Sequence, residues 1–392
     1  MERNYKSNIL KAYTFSFILG IHTVRGVYIP FMTIWGGLSF FQIMILQSYF
    51  TAMIVLFEIP SGAIADFLGR KAGLLLSALS VAVAALTYSI IPNFFMFILA
   101  ETFWAFGSAL MSGTYDAFLY FSLKSIGKEH NLPTTLGRTR TMRLIALTLS
   151  APIGSIIAVL VSYQFAMTSL AIVYIGAFLI ALTFKEPKLT INNYRQEKYF
   201  KIIISGFKEL IKSKKLRILA FDWIPIDVLI FFMFWTYQVY LEAIQIPIIF
   251  FGFITSLMNI INAIFAILIP FLLKSSKNKR SFLISINLIN GAAYILLGLM
   301  NLIPIGIAIM LTIVAFGYTR YLIFVDGINT QIESENRATV LSTINMFGSL
   351  LRAIFYPFIG LLVEWSVFGV FIITGIMIIF FTVFTRSKSE FL

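Results

Sequence analysis

Long apolar runs separated by short polar breaks organise this chain. A helix needs about 20 mostly apolar residues to cross a bilayer. Runs of that length lie at 9–29, 38–64, 72–91, 94–122, 142–163, 166–184, 218–241, 248–273, 281–301, 305–330, 338–363 and 367–386, which predicts twelve membrane spans. The first run follows Met1–Lys6 without a small-residue cleavage site, so it is expected to be retained rather than removed as a signal. The longest polar stretch, Lys185 to Arg217, falls between the sixth and seventh runs. It divides the chain into a six-helix bundle over 1–184, a linker over 185–217 and a second six-helix bundle over 218–392. Within the linker, Lys198 to Lys212 sets apolar residues at helical spacing among lysines, the pattern of a basic amphipathic helix lying on a membrane surface.

Polar positions then orient the spans. The N-terminal tail and the even-to-odd loops hold nearly all of the 30 basic residues: Arg70 and Lys71, Lys124 to Arg143, Lys185 to Arg217, Lys274 to Arg280, and Arg337. Arg386 and Lys388 follow the last span. The alternate loops, around 30–37, 92–93, 164–165, 242–247, 302–304 and 364–366, carry no Lys or Arg. This asymmetry is the positive-inside signature, and it assigns both termini to the cytoplasmic side of an inner membrane. The net charge of +13 therefore reads as orientation and lipid contact rather than nucleic-acid binding.

Composition narrows the classes further. Charged residues make up 12% of the chain, about half the share of a soluble domain. Hydrophobic residues reach 59%, and the mean hydropathy is +0.91, which excludes an ordinary soluble enzyme. Without Cys, no disulfide, thiolate zinc site or iron–sulfur cluster can form, and two His, His22 and His130, do not supply a multi-histidine metal site. No metal and no cofactor is expected. A phosphate-binding Gly-x-x-x-x-Gly-Lys-Ser/Thr loop is also missing from the sequence, which leaves a proton or ion gradient as the energy source.

The halves repeat. At an offset of 210 residues Pro60 meets Pro270, Arg70 meets Arg280, Phe106-Gly107 meets Phe316-Gly317, and Asp116 meets Asp326. Paired repeats around a midplane site are a common plan of secondary transporters. Between spans 2 and 3 the chain reads Gly62-Ala-Ile-Ala-Asp66-Phe-Leu-Gly69-Arg70-Lys71. Here Gly62 is expected to let two helices approach, Gly69 to allow a tight turn, and Asp66 to accept hydrogen bonds from a helix N-terminus.

This loop resembles the signature loop of the major facilitator superfamily, with Phe67 where a basic residue is frequent. Phe57-Glu58-Ile-Pro60-Ser-Gly62 and Ser112-Gly-Thr-Tyr-Asp116 resemble a prokaryotic subgroup with a Glu-Ile-Pro-Thr-Gly run, whose members are often described as drug-efflux proteins. The resemblance implies an all-α membrane fold of twelve helices in two pseudo-symmetric six-helix bundles. It also implies an inner latch that stabilises the outward-open state. Gly62, Asp66, Gly69, Arg70 and Lys71 would form that latch, joined by Glu58, Asp116 and Arg143. Asp326, Glu333, Glu335, Arg337 and Arg352 would supply its counterpart in the second half. Two departures stand against a drug–proton antiporter: Phe103 occupies the place of the span 4 arginine, and the Gly-Pro motif of span 5 is reduced to Ser150-Ala-Pro152-Ile-Gly154.

An ionisable group inside the bilayer costs at least about 2.5 kcal/mol, so it should face a cavity or a partner. In the family resembled, spans 1, 4, 7 and 10 line the cavity. His22 and Arg25, three residues apart, are expected to share a face of span 1. Glu101 lies in span 4, Asp222 and Asp227 in span 7, and Arg320 in span 10, with Asp222 near the inner end. His22, Arg25, Glu101, Asp227 and Arg320 are the candidate substrate and coupling groups. Glu101 or Asp227 would carry the proton, and Arg25 or Arg320 would meet a carboxylate or an anionic cargo. Trp104, Tyr115, Trp235 and Tyr321 are candidates for stacking on an amphipathic ligand. These features predict a monomeric secondary transporter whose partners are a small molecule, a coupling ion and lipids. Proton-coupled efflux of amphipathic compounds comes first and transport of an organic anion or other metabolite second. A membrane receptor or scaffold is the alternative class, and a membrane enzyme has no Ser-His-Asp or metal spacing behind it.

Overall fold

The computed structural model describes residues 2–187, 206–332 and 337–392, without the side chains of residues 2–4, Ile59, Asp66, Arg337 and Ala338. Most of the expected linker helix lies outside the described residues, as do Glu333 and Glu335; residues 206–212 are helical. Every described regular element is a helix. Eleven are long and apolar enough to cross a membrane, and Val367–Val383 is a shorter apolar helix at the place of the twelfth run. In hydrocarbon all backbone polar groups must be satisfied internally, which selects helices.

Two units contain these helices. The first holds Tyr5–Trp35 (span 1), Phe40–Leu68 (span 2), Arg70–Ile90 (span 3), Phe94–Lys124 (span 4), Leu132–Leu160 (span 5) and Tyr163–Leu182 (span 6), together with Ile248–Ser256. Ile248–Ser256 packs on span 5: Ser155 Oγ donates to the Ile249 carbonyl at 2.8 Å, and Ser256 Oγ donates to the Thr148 carbonyl at 2.5 Å. The second unit holds the remainder of span 8 (Phe251–Ser275). Its other helices are Lys214–Phe231 and Met233–Ala243 (span 7), Lys279–Leu299 (span 9), Ile303–Gly317 and Tyr321–Gln331 (span 10), Arg337–Trp365 (span 11) and Val367–Val383 (span 12).

Polar residues cap the helices where the chain turns. Ser39, Asn93, Ser162, Ser213, Asn278 and Ser366 each accept a backbone N–H of the helix that follows. Such caps satisfy donors that have no partner inside the helix.

Span 1 does not run as one helix. Its regular part stops at Gly20, and the chain continues through a 3₁₀ turn at Arg25–Val27 and a wide π turn at Phe31–Trp35. Neighbouring spans hold the interrupted segment through hydrogen bonds. The His22 N–H donates to Ser150 Oγ at 2.9 Å, and Thr23 Oγ1 donates to the Ala166 carbonyl at 2.8 Å. A Cβ on Gly154 of span 5 would collide with the Thr23 carbonyl, so this glycine is what lets the break dock. His22 and Arg25 therefore sit on a break and not on one helical face, which corrects the spacing argument. Span 10 is broken too, at Tyr318–Arg320.

The repeat extends to the ends of each unit. In the first, Asn8 of span 1 exchanges hydrogen bonds with the backbone of Lys185 just past span 6, at 2.8 and 3.0 Å. In the second, Asp222 of span 7 accepts the N–H groups of Arg386 and Ser387 just past span 12, at 2.9 and 2.6 Å. A residue following the last span also reaches the start of the third helix in each half: Glu186 for span 3, Ser389 for span 9.

Candidate functional site

Glu101 is the most buried carboxylate among the described residues of the first unit, 4% exposed on span 4. Three neutral donors converge on its Oε1: Tyr88 Oη at 2.5 Å, Gln47 Nε2 at 3.0 Å and Tyr28 Oη at 3.2 Å. They come from spans 3, 2 and 1, and Gln47 Nε2 also donates to Tyr28 Oη at 3.3 Å. The break in span 1 is what turns Tyr28 into this cluster. No ion pair to Glu101 is found among the described residues. One turn on, Trp104 lies 5.6 Å from the ring of His22. His22 Nδ1 is buried with no hydrogen-bond partner among the described residues. The first unit thus gathers an acid in a neutral cage beside an imidazole and an indole. Tyr28, Tyr88 and Gln47 escaped the sequence reading because neutral polar residues carry no marker there.

The second unit treats its charges differently. Arg320 is 1% exposed, at the break of span 10. Its Nε donates to Asn287 Oδ1 at 2.6 Å, Nη1 to the Trp223 carbonyl at 3.1 Å and Nη2 to the Asp222 carbonyl. The guanidinium also lies over the Phe324 ring at 4.6 Å. These bonds tie spans 7, 9 and 10 together, so in this conformation Arg320 is enclosed rather than lining an open cavity. Asp227 forms a 3.9 Å ion pair with Arg352, whose guanidinium stands 4.5 Å from the Phe231 ring. Arg352 therefore belongs with span 7 and not with an inner cluster. Glu242, in the last turn of span 7, has a buried Oε1 with no hydrogen-bond partner among the described residues. The apolar pattern places it at the start of the loop around 242–247, where an acidic residue carries no signal. Of the aromatic candidates other than Trp104, Tyr115 is held by Ser16 and the Ala12 carbonyl, Trp235 is buried, and Tyr321 is exposed.

At the loop between spans 2 and 3, Gly69 takes φ +94°, a conformation that favours glycine. The acceptor at the N-terminus of span 3 is Glu186: its Oε1 receives the Arg70 N–H at 2.9 Å and its Oε2 the Lys71 N–H at 2.7 Å. An anion at a helix N-terminus also meets the favourable end of the helix dipole. The Arg70 guanidinium lies 4.0 Å from the Phe121 ring, and Lys71 Nζ donates to the Leu182 carbonyl at 2.6 Å. The side chain of Asp66 lies outside the description, as does that of Arg337. Nothing described lies within 4 Å of a Cβ built on Gly62, which corrects the expected close approach there. Glu58 is half-buried, while Asp116 and Arg143 are exposed. Asp326 pairs with Lys279 at 3.9 Å, at the start of span 9.

No curated protein matches the sequence. Among solved structures, the fold aligns with the nucleoside transporter NupG at a TM-score of 0.75 and 15% identity, covering 96% of each chain. It aligns with a D-xylose–proton symporter at 0.70 and 13%, covering 99% of each chain. A bacterial homologue of the human lysosomal transporter Spinster aligns at 0.71 and 14%, covering 99% of this chain and 96% of that one. Identities this low speak for the fold alone. The sequence also matches the profile of the Major Facilitator Superfamily over residues 13–328. With its apolar helices and a profile match over most of its length, the chain belongs to the Major Facilitator Superfamily, a family of membrane transporters and not of enzymes.

Proposed function

We propose that this protein is a proton-coupled antiporter that exports amphipathic compounds by alternating access, with Glu101 as the proton carrier. The observation that carries the reading is the cage of Tyr28, Tyr88 and Gln47 around Glu101 Oε1. A carboxyl group held by neutral donors can gain and lose a proton without breaking an ion pair. Asp227, by contrast, is engaged by Arg352, and Arg320 by Asn287 and two carbonyls. The indole of Trp104 beside His22 supports an aromatic contact for the cargo. The efflux direction rests on the resemblance of the Glu58–Gly62 and Ser112–Asp116 segments to the drug-efflux subgroup.

In this reading the inner gate is the segment Gly62, Asp66, Gly69, Arg70 and Lys71 with Glu58, Asp116 and Arg143, matched by Asp326 and Arg337 in the second half. The protein works as a monomer in the inner membrane, with both termini cytoplasmic and lipids around it. A second reading, transport of an organic anion, is favoured by the buried His22 Nδ1, which has no hydrogen-bond partner among the described residues, with Arg25 close by in span 1.

The test is transport in proteoliposomes under an imposed pH gradient, with a lipophilic quaternary ammonium cation and a small carboxylate as probes. Wild-type protein should accumulate the cation against its gradient and release protons. Glu101→Gln should bind the cation but not accumulate it. Accumulation by Glu101→Gln at the wild-type level would remove Glu101 from coupling. Movement of the carboxylate alone would select the second reading.

A further inference from the structure

A cavity of about 710 Å³ opens at the start of span 7, and no transport step described above uses it. Among the described residues it is lined by Lys214, Arg217, Ile218, Phe221, Asp222 and Arg386. Three cations therefore face one carboxylate. That carboxylate is already committed: Asp222 Oδ2 accepts the Arg386 N–H at 2.9 Å, the Ser387 N–H at 2.6 Å and Ser387 Oγ at 2.6 Å. The same bonds fix the turn after span 12 against span 7, which holds Arg386 beside the other two cations. None of Lys214, Arg217 and Arg386 forms an ion pair among the described residues.

The order of residues along the helix is informative. Lys214, Arg217, Ile218 and Phe221 fall at the spacing of a single helical stripe. Its cationic end is the first turn of the span, and Phe221 lies about 10 Å deeper at the helical rise per residue. Phe221, 53% exposed, presents an open apolar face on this membrane-spanning helix. Cations at the surface followed by an open apolar contact at acyl depth match one ligand class. Basic pockets between membrane helices on the cytoplasmic side take anionic lipid headgroups.

We infer that this cavity binds the phosphate of an anionic phospholipid of the leaflet on the side of the termini. Lys214, Arg217 and Arg386 hold the phosphate, and Ile218 and Phe221 meet the acyl chain. The bound lipid bridges the start of span 7 and the turn after span 12, reinforcing the join that Asp222 makes.

Thermal unfolding of the delipidated full-length protein in detergent, titrated with lipid, tests the site. Phosphatidylglycerol should raise the midpoint in a saturable way, while phosphatidylcholine with the same acyl chains should not. Inorganic phosphate at matched concentration should also leave it unmoved. The triple change Lys214→Gln, Arg217→Gln and Arg386→Gln should weaken the apparent phosphatidylglycerol affinity about a hundredfold, at the usual contribution of each surface cation. The equally discharged control Lys208→Gln, Lys212→Gln and Lys215→Gln, outside the cavity, should keep it within about threefold of wild type. Arg386→Gln alone keeps the backbone bonds to Asp222 and should lose about fivefold, which keeps the test available if the triple variant does not fold. Equal losses in the cavity and control variants would overturn the site in favour of general surface charge. Equal stabilisation by the two lipids, full stabilisation by inorganic phosphate, or an unchanged affinity in Arg386→Gln would each overturn it as well.

Discussion

At Glu101 and Arg320 the same problem, an ionisable group in an apolar protein, has two solutions. Glu101 is met by hydroxyl and amide donors that stay satisfied whether or not it carries a proton. Arg320 is met by acceptors that need its charge and its full fork of donors. Replacing the first should therefore change coupling and leave the fold, and replacing the second should do the reverse. Arg320→Ala strands Asn287 Oδ1 in a buried place and leaves the Asp222 and Trp223 carbonyls with only the partners that the helix of span 7 gives them. At about 1–3 kcal/mol for an unsatisfied buried group, the loss should be at least about 1–3 kcal/mol, seen as a lower thermal unfolding midpoint. Arg320→Lys restores one or two of the bonds and should recover part of that stability. A fully stable Arg320→Ala protein that has lost transport would instead place Arg320 in the cargo site.

Among the elements, the glycines divide by what they touch. Gly154→Val drives a side chain into the Thr23 carbonyl, separates span 5 from the break in span 1, and should cost about 1–3 kcal/mol or more. Gly62→Ala meets nothing within 4 Å among the described residues and gains helix propensity, so its unfolding midpoint should be unchanged or higher. The two variants, unfolded side by side, check this ordering directly. Glu186→Ala removes the acceptor at the start of span 3 and should cost about 1 kcal/mol, while Asp116→Ala on the exposed side of span 4 should cost little. Pairs aligned by the repeat have also diverged. Gly107 packs against Ser77 within an unbroken span 4, whereas Gly317 is the last residue before the break in span 10. The buried Arg320 explains the difference, since the break brings it within reach of the Asp222 and Trp223 carbonyls.

For the molecule as a whole, the proposed inner gate acts through populations rather than contacts with cargo. Asp66→Asn should slow turnover several-fold in proteoliposomes and leave cargo affinity nearly unchanged, because a latch shifts conformations. Unchanged turnover would take Asp66 out of the cycle. The architecture behind this was written in the pattern of the chain: apolar runs of membrane length, Lys and Arg concentrated in alternate loops, and landmarks repeated at 210 residues. Such features are legible because lipid leaves the backbone no alternative to the helix and charge no place but the ends. Glu101 was legible for the same reason, as a charge in an apolar run. Its cage was not, since Tyr28 lies 73 residues away and sits there only because span 1 breaks. Nor was the role of Arg320, whose partner carbonyl at Asp222 is 98 residues distant. Which charges are enclosed, which are paired and which face a cavity depends on helix rotation and on where helices stop. Packing between spans sets those two quantities, and only the tertiary structure decided them.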